Sequence, residues 1–298
     1  MDSQLRHEPH FTPAKLEETS ALVARDLAYA QVSAAQKLDL YLPGAQGLFP
    51  LVIYVHGGAF KFGDKGDNEA TGAFPFLLAS GYALASINYR LSGEARFPAQ
   101  IHDVKTAVRW LRTNAINCHI DPARIGAWGA SAGGHLVSLL ATSGDAAELE
   151  GAELGHAEQS SRIQAVVSWY APIDFLHMDA QLMEDEHCGP AAATHNQPDS
   201  PESELLGAPI QTIPELVRTT NPITYVHRDV PPFLIEHGTA DYVVPARQAQ
   251  QLHDALVPLI GAGNVELVYL PGARHADAIF PSSSNMQRVV QFFERHLR

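Results

Sequence analysis

The sequence predicts an α/β fold: a mostly parallel, eight-stranded sheet with helices on both faces and a small cap. Three observations predict it. Short β-branched and apolar runs alternate with longer helical patterns along most of the chain, the rhythm of parallel strands joined by helical crossovers. Hydrophobic residues make up 46% of the 298 residues and charged ones only 18%, which suits a large core and excludes a disordered or coiled-coil chain. Residues 171–231 break the rhythm, being rich in Pro, Asp, Glu, Ser and His, as a cap inserted into such a domain would be.

In chain order, the predicted strands are residues 22–29, 37–42, 51–55, 82–88, 124–128, 163–169, 233–237 and 265–270. The first two, joined by the loop before Lys37, are expected to form an antiparallel edge. Helical patterns cover residues 70–80, 98–114, 132–142, 245–260 and 284–297. In the second of these, Ile101, Val104, Ala107, Val108 and Leu111 recur at spacings of three and four and so share one face. One domain over residues 1–298 is expected, with cap elements drawn from residues 1–25 and 171–231. No internal repeat or low-complexity tract interrupts it.

Charge narrows the partners. Twenty Lys and Arg against 33 Asp and Glu leave a net charge of -13. No Lys or Arg occurs between Arg162 and Arg218, where Glu184, Asp185, Glu186, Glu202 and Glu204 fall. Such a surface repels phosphate backbones and anionic lipid, which argues against nucleic acid or membrane partners and for neutral or cationic substrates. The longest unbroken apolar run, residues 51–55, is far short of the roughly 18 residues of a membrane helix. The start, MDSQLRHEPHF, lacks a basic patch followed by an apolar stretch, so no signal peptide and a cytoplasmic setting are expected. Cys118 and Cys188 are then expected to be unpaired. The oligomeric state is left open.

The chemistry concentrates in four stretches. Gly129-Ala130-Ser131-Ala132-Gly133 follows the strand RIGAW and opens the helix AGGHLVSLLAT, the strand–turn–helix setting of a nucleophile elbow. Ser131 would project at its tip, above a helix N-terminus that favours developing negative charge. His56-Gly57-Gly58-Ala59-Phe60 follows the strand LVIYV. Glycines there let backbone N–H groups approach a ligand, which makes Gly57 and Gly58 candidate oxyanion donors together with Ala132, the residue after the candidate nucleophile, and Ala59 and Phe60 the candidate substrate contacts. His56 is read as shaping that loop. Asp241 lies in the loop after FLIEHG and His275 in the loop after VELVYL, both at strand C-termini where α/β sheets gather their ligands. His275 would take the proton of Ser131, and Asp241 would hold the imidazole in the required tautomer. The rival carboxylates are Asp277, too near His275 in sequence, and Glu236, inside a strand.

HGGAF, DPARIGAWGASAGGH, NPITY, PPFLIEHGTADYVVP and GARHA together resemble the α/β-hydrolase superfamily, above all the hormone-sensitive-lipase-like and bacterial feruloyl-esterase-like serine esterases. The similarity covers roughly residues 22–298. It implies an α/β-hydrolase fold and a carboxylesterase with a Ser131, Asp241 and His275 triad and no cofactor. Ala59 and Ala276 depart from the glycines frequent in similar sequences, and the GGA loop resembles those of esterases that accept bulky alcohols. The same machinery also suits an amidase such as an arylformamidase, or a catalytically silent binder of small molecules.

Other features have plainer readings. Arg90 and Asp103 are expected to pair beneath the oxyanion loop, His135 to pack within its helix, and Asp121-Pro122 to form a turn. Glu184-Asp185-Glu186-His187 lacks ligand spacing on a defined element, so no metal is expected. No G-x-G-x-x-G follows the first strand, so no dinucleotide is expected either.

Overall fold

The structure, a computed structural model, describes residues 9–10, 12–16, 19–44, 46–67, 72–185 and 194–298. Its strands are β1 (Thr12–Leu16), β2 (Thr19–Ala28), β3 (Lys37–Leu42), β4 (Phe49–Val55), β5 (Ala83–Ile87), β6 (Ile120–Ala130), β7 (Ala165–Trp169), β8 (Phe233–Gly238) and β9 (Val265–Leu270). They form one sheet of nine strands in the order β1-β2-β3-β5-β4-β6-β7-β8-β9. Pairings from β1 to β5 are antiparallel and those from β5 through β9 are parallel.

All eight predicted strands are present, and β2 and β3 pair antiparallel as expected, although the edge itself is β1. The ninth, β1, pairs with β2 from Thr12↔Val23 to Leu16↔Thr19, so these residues extend the sheet. The sequence hides it, because Thr-Pro-Ala-Lys-Leu has neither β-branched density nor apolar alternation. Strands β3, β5 and β4 separate this hairpin from β6.

Strand β4 shows how the core divides. Successive side chains point to opposite faces, so Leu51, Ile53 and Val55 enter one buried cluster while Val52 and Tyr54 enter another. The first cluster is covered by α2 (Ala99–Thr113), α3 (Ala132–Thr142) and α7 (Arg247–Ile260), through Val104, Val108, Leu136, Leu140, Leu252 and Leu256. The second is covered by α1 (Phe74–Ala79) and α8 (Ser283–Leu297), through Phe74, Leu77, Val289 and Phe293. Helix α1 is shorter than its predicted span, part of which (70–71) lies outside the described residues. Among the described residues no helix is long and apolar enough to cross a membrane.

Asp121 and Pro122 do not form a free turn but lie within β6. Phe49 pairs with Ile120 and Leu51 with Ile125, so residues 121–124 bulge out against a single residue of β4. Asp121 stabilises the bulge by accepting from Ala123 N at 2.9 Å and pairing with Arg124 at 2.7 Å.

Residues 171–231 carry more helix than their composition implies: α4 (Met178–Glu184), α5 (Pro201–Leu206) and α6 (Pro214–Arg218), with 3-10 turns between. Local rules define α5. Ser200 caps it by accepting from Ser203 N, Pro201 occupies the first turn, and Gly207 ends it with φ of 80°. Gln248 on α7 secures the start of this segment, accepting from Ile173 N at 2.7 Å and Asp174 N at 2.6 Å.

Candidate active site

Ser131 sits in the one-residue junction between β6 and α3 with φ 55° and ψ −122°, a left-handed backbone that a serine rarely adopts. Close packing imposes it. A Cβ on Gly133 would lie 2.0 Å from Val55 O, so only glycine lets the first turn of α3 abut the end of β4. Ser131 N donates to Trp169 O at 2.9 Å, which ties the junction to β7. Strain of this kind persists only where the surroundings enforce it.

Two loops reach this serine from the strands beyond. His275 Nε2 lies 2.9 Å from Ser131 Oγ, and its Nδ1 lies 2.8 Å from Asp241 Oδ2. A carboxylate can only accept, so Nδ1 carries the proton and Nε2 is free to accept from the serine hydroxyl. The structure therefore brings together three residues separated by up to 144 positions in sequence. Tyr170 holds the imidazole edge-on, with ring centroids 4.9 Å apart.

Asp241 is 3% exposed. Its Oδ1 accepts from the N–H groups of Val243 and Val244, each at 2.9 Å. His237 Nε2, which donates to Val244 O at 2.9 Å, also stands 3.3 Å from Asp241 Oδ2. Burial alone would raise the carboxyl's pKa. The hydrogen bonds and charge of His237 and His275 outweigh it and hold Asp241 well below the usual carboxylate range. It stays an anion wherever the histidine can work as a base.

The rival carboxylates are engaged elsewhere. Glu236 accepts from Asn285 at 2.8 Å and Arg288 at 3.2 Å, on the far side of β8, and burial raises its pKa. Asp277 caps its own turn, accepting from Arg274 N and Ile279 N.

The HGGAF loop lies directly against the elbow. A Cβ on Gly57 would meet Ala130 O at 2.9 Å and Ser131 Cβ at 3.3 Å. His56 Nδ1 donates to Gly57 O at 2.6 Å and its ring stacks on Tyr89, whose hydroxyl donates to His56 O. The histidine is thus part of the loop's scaffold. Gly58, Ala59 and Phe60 continue in positive φ at 112°, 53° and 60°. Phe60 is buried at 1%, edge-on to His135 and Phe175, so it packs the loop from beneath. Phe60 is therefore not the substrate contact expected of it; the exposed ring of this loop is that of Phe62, 63% accessible, packed on Gly58 and two residues beyond the end of HGGAF.

Arg90 grips Asp103 with Nε and Nη2 at 2.8–3.1 Å, fixing the segment after β5 onto α2 as expected. His135 donates Nδ1–H to Pro172 O at 2.9 Å and is buried within α3. Cys118 is buried and unpaired, while Cys188, Glu186 and His187 lie outside the described residues. Among the described residues no three His, Cys, Asp or Glu side chains are grouped to hold a metal ion.

Known esterases resemble the chain in sequence and in fold. The BD-FAE family profile matches residues 38–256. The chain is 33% identical over 226 residues to esterase LipC of Mycobacterium tuberculosis, an alignment that covers 76% of this chain and 52% of that protein. It spans about half the length of the curated relatives it matches. Among solved structures, a truncated carbohydrate esterase from gut microbiota superposes with a TM-score of 0.81 at 30% identity, covering 95% of this chain and 98% of the other. A bifunctional GH43-CE protein of Bacteroides eggerthii gives the same TM-score at 34% identity, covering 92% of this chain and 35% of that one. The chain is an α/β-hydrolase that belongs to the BD-FAE family.

Proposed function

We propose that the protein is a serine carboxylesterase that hydrolyses small to medium, neutral carboxylic esters through an acyl-enzyme. The observation that carries this reading is the unbroken relay from Ser131 Oγ through His275 to Asp241, with both imidazole nitrogens in hydrogen-bond reach of their partners. His275 Nε2 takes the hydroxyl proton as Ser131 attacks the ester carbonyl. Negative charge then develops on the carbonyl oxygen, where the N–H groups of Gly57, Gly58 and Ala132 receive it. The imidazolium, stabilised by Asp241, returns its proton to the departing alcohol. A water molecule activated by the same nitrogen releases the acid and restores the serine. The reaction needs no cofactor.

In this reading residues 1–298 form one hydrolase domain with residues 171–231 as the cap over the substrate. Of residues 1–25, the other expected source of cap elements, 12–16 and 19–25 lie instead in β1 and β2 of the sheet. Neutral esters fit the run of carboxylates in that segment, which carries no Lys or Arg between Arg162 and Arg218. The similarity to a carbohydrate esterase over nearly its whole length supports esters of carbohydrates as one substrate class.

The test is a p-nitrophenyl ester series from acetate to laurate, run on the wild type and Ser131→Ala together. Serine-dependent turnover that peaks at short chains is expected. Turnover on formanilides exceeding that on matched phenyl esters would instead make the protein an amidase. Undiminished ester hydrolysis by Ser131→Ala would refute the mechanism.

A further inference from the structure

Val243 joins the acid of the triad to the inserted segment. Its N–H donates to Asp241 Oδ1 at 2.9 Å, and its carbonyl accepts from His195 Nε2 at 2.8 Å. His195 lies 48 residues earlier in the chain, within the segment that precedes α5. Its side chain is 8% exposed, and its Nδ1 stands 3.1 Å from Glu202 Oε1 on α5, itself 5% exposed. The backbone N–H groups of His195 and Asn196 donate to Asp179 on α4 at 2.9 Å and 2.8 Å.

Proton inventory fixes the state of this ring. A carbonyl only accepts, so Nε2 must carry a hydrogen to hold Val243. Against an ionised Glu202 a bare Nδ1 would turn a lone pair toward the carboxylate, so in the charged pair Nδ1 carries one as well. The contact is an ion pair rather than a straight hydrogen bond: His195 Nδ1 has no aligned partner among the described residues, although Glu202 Oε1 stands 3.1 Å away. Charge, not geometry alone, therefore holds the two side chains together. Glu202 and Asp179 are the charged groups facing the ring, and the Val243 peptide contributes its carbonyl. Burial disfavours the imidazolium, but these three partners outweigh it, and the ring titrates above the ordinary value of 6.5.

We propose that His195, as an imidazolium paired with Glu202, is a positioning residue that clamps Val243 and thereby aims the Asp241 carboxylate at His275, so that turnover declines at alkaline pH as His195 loses its proton. The inference rests on the esterase reading above. Because the ring's pKa is raised in the folded protein, the ion pair is complete below about pH 6.5 and is lost as pH rises through the folded value, which leaves Nε2–H on Val243 O but removes the charge that seats the ring. The proton leaves Nδ1 for solvent. The neutral ring then faces Glu202 with a lone pair, and a buried carboxylate is left without its counter-charge.

The test measures kcat against pH from neutral to about pH 10 for the wild type, His195→Gln and Glu202→Gln, with folding checked by circular dichroism and Ser131→Ala as the blank. The wild type is expected to lose about tenfold in kcat on the alkaline side, the scale of one charged hydrogen bond, with KM little changed. His195→Gln, whose amide donates to Val243 O but does not titrate, is expected to lack that limb. Glu202→Gln, which removes the anion, is expected to move the limb to lower pH, and it carries the test alone if His195→Gln does not fold. A wild-type profile that stays flat to alkaline pH, or one limb shared by all the folded proteins, overturns the clamp. An active Ser131→Ala overturns the esterase reading and the clamp with it, whereas an inactive Ser131→Ala with an unmoved limb overturns the clamp alone.

Discussion

His135 makes stability fall with pH in a way that can be worked from its surroundings. The ring sits one turn beyond Ser131, 1% exposed, stacked on Phe175 with centroids 4.9 Å apart and edge-on to Phe60. Nδ1 donates to Pro172 O at 2.9 Å, while Nε2 is buried without a partner among the described residues. A second proton on Nε2 would be a buried charge with nothing to accept it. Burial accordingly lowers the pKa to about 4, against the smaller opposing effect of the Pro172 hydrogen bond. The unfolded chain binds that proton near 6.5 and the folded protein does not, so stability present above pH 6.5 is lost as pH falls toward 4. Each pH unit in that window removes about 1.4 kcal/mol, for a total of about 3 kcal/mol. Urea unfolding of the wild type and His135→Gln, followed from about pH 7.5 to about pH 4, isolates the effect, because other titrating groups cancel in the difference. The wild type should lose about 3 kcal/mol more than the variant across the window. Parallel curves would refute the reasoning.

Other substitutions probe the site. Asp241→Asn should cut kcat by about 10⁴-fold while leaving the fold intact, because the amide no longer selects the working tautomer of His275; steady-state kinetics check this. Glu236→Gln should leave kcat within about threefold of wild type, since its partners are Asn285 and Arg288; a collapse of activity would make it the acid instead. Gly57→Ala should lower kcat by about 10² or more, because its methyl would meet Ala130 O at 2.9 Å and push the loop off the elbow. The same assay with Gly93→Ala, where nothing lies within 4 Å, should show no such loss.

The sequence made the parallel centre of the sheet legible because β4, β6, β7 and β8 are covered on both faces, which forces near-continuous apolar runs such as Leu51 to Val55. The elbow and the HGG loop were equally legible, since each packs small residues that only a close backbone approach explains. Long-range contacts were not. His237 reads as one more residue of β8 until Asp241 is seen 3.3 Å away. His195 lies in a stretch without periodicity, and only the fold brings it to Val243. Phe60 and Phe62 differ by two positions, yet the positive φ of Ala59 and Phe60 turns one ring into the core and leaves the other in solvent. Helix α4 was lost because Met178–Glu184 is too short for its apolar positions, Met178 and Leu182, to establish a period.

The central claim is that Ser131 is the nucleophile of a histidine-activated ester hydrolase. Labelling with an alkyl fluorophosphonate, which traps activated serines covalently, followed by peptide mapping tests it most directly. The label should fall on Ser131 in step with loss of ester turnover, and His275→Ala should abolish labelling. Labelling on another residue, or full activity after Ser131 is modified, would contradict the claim.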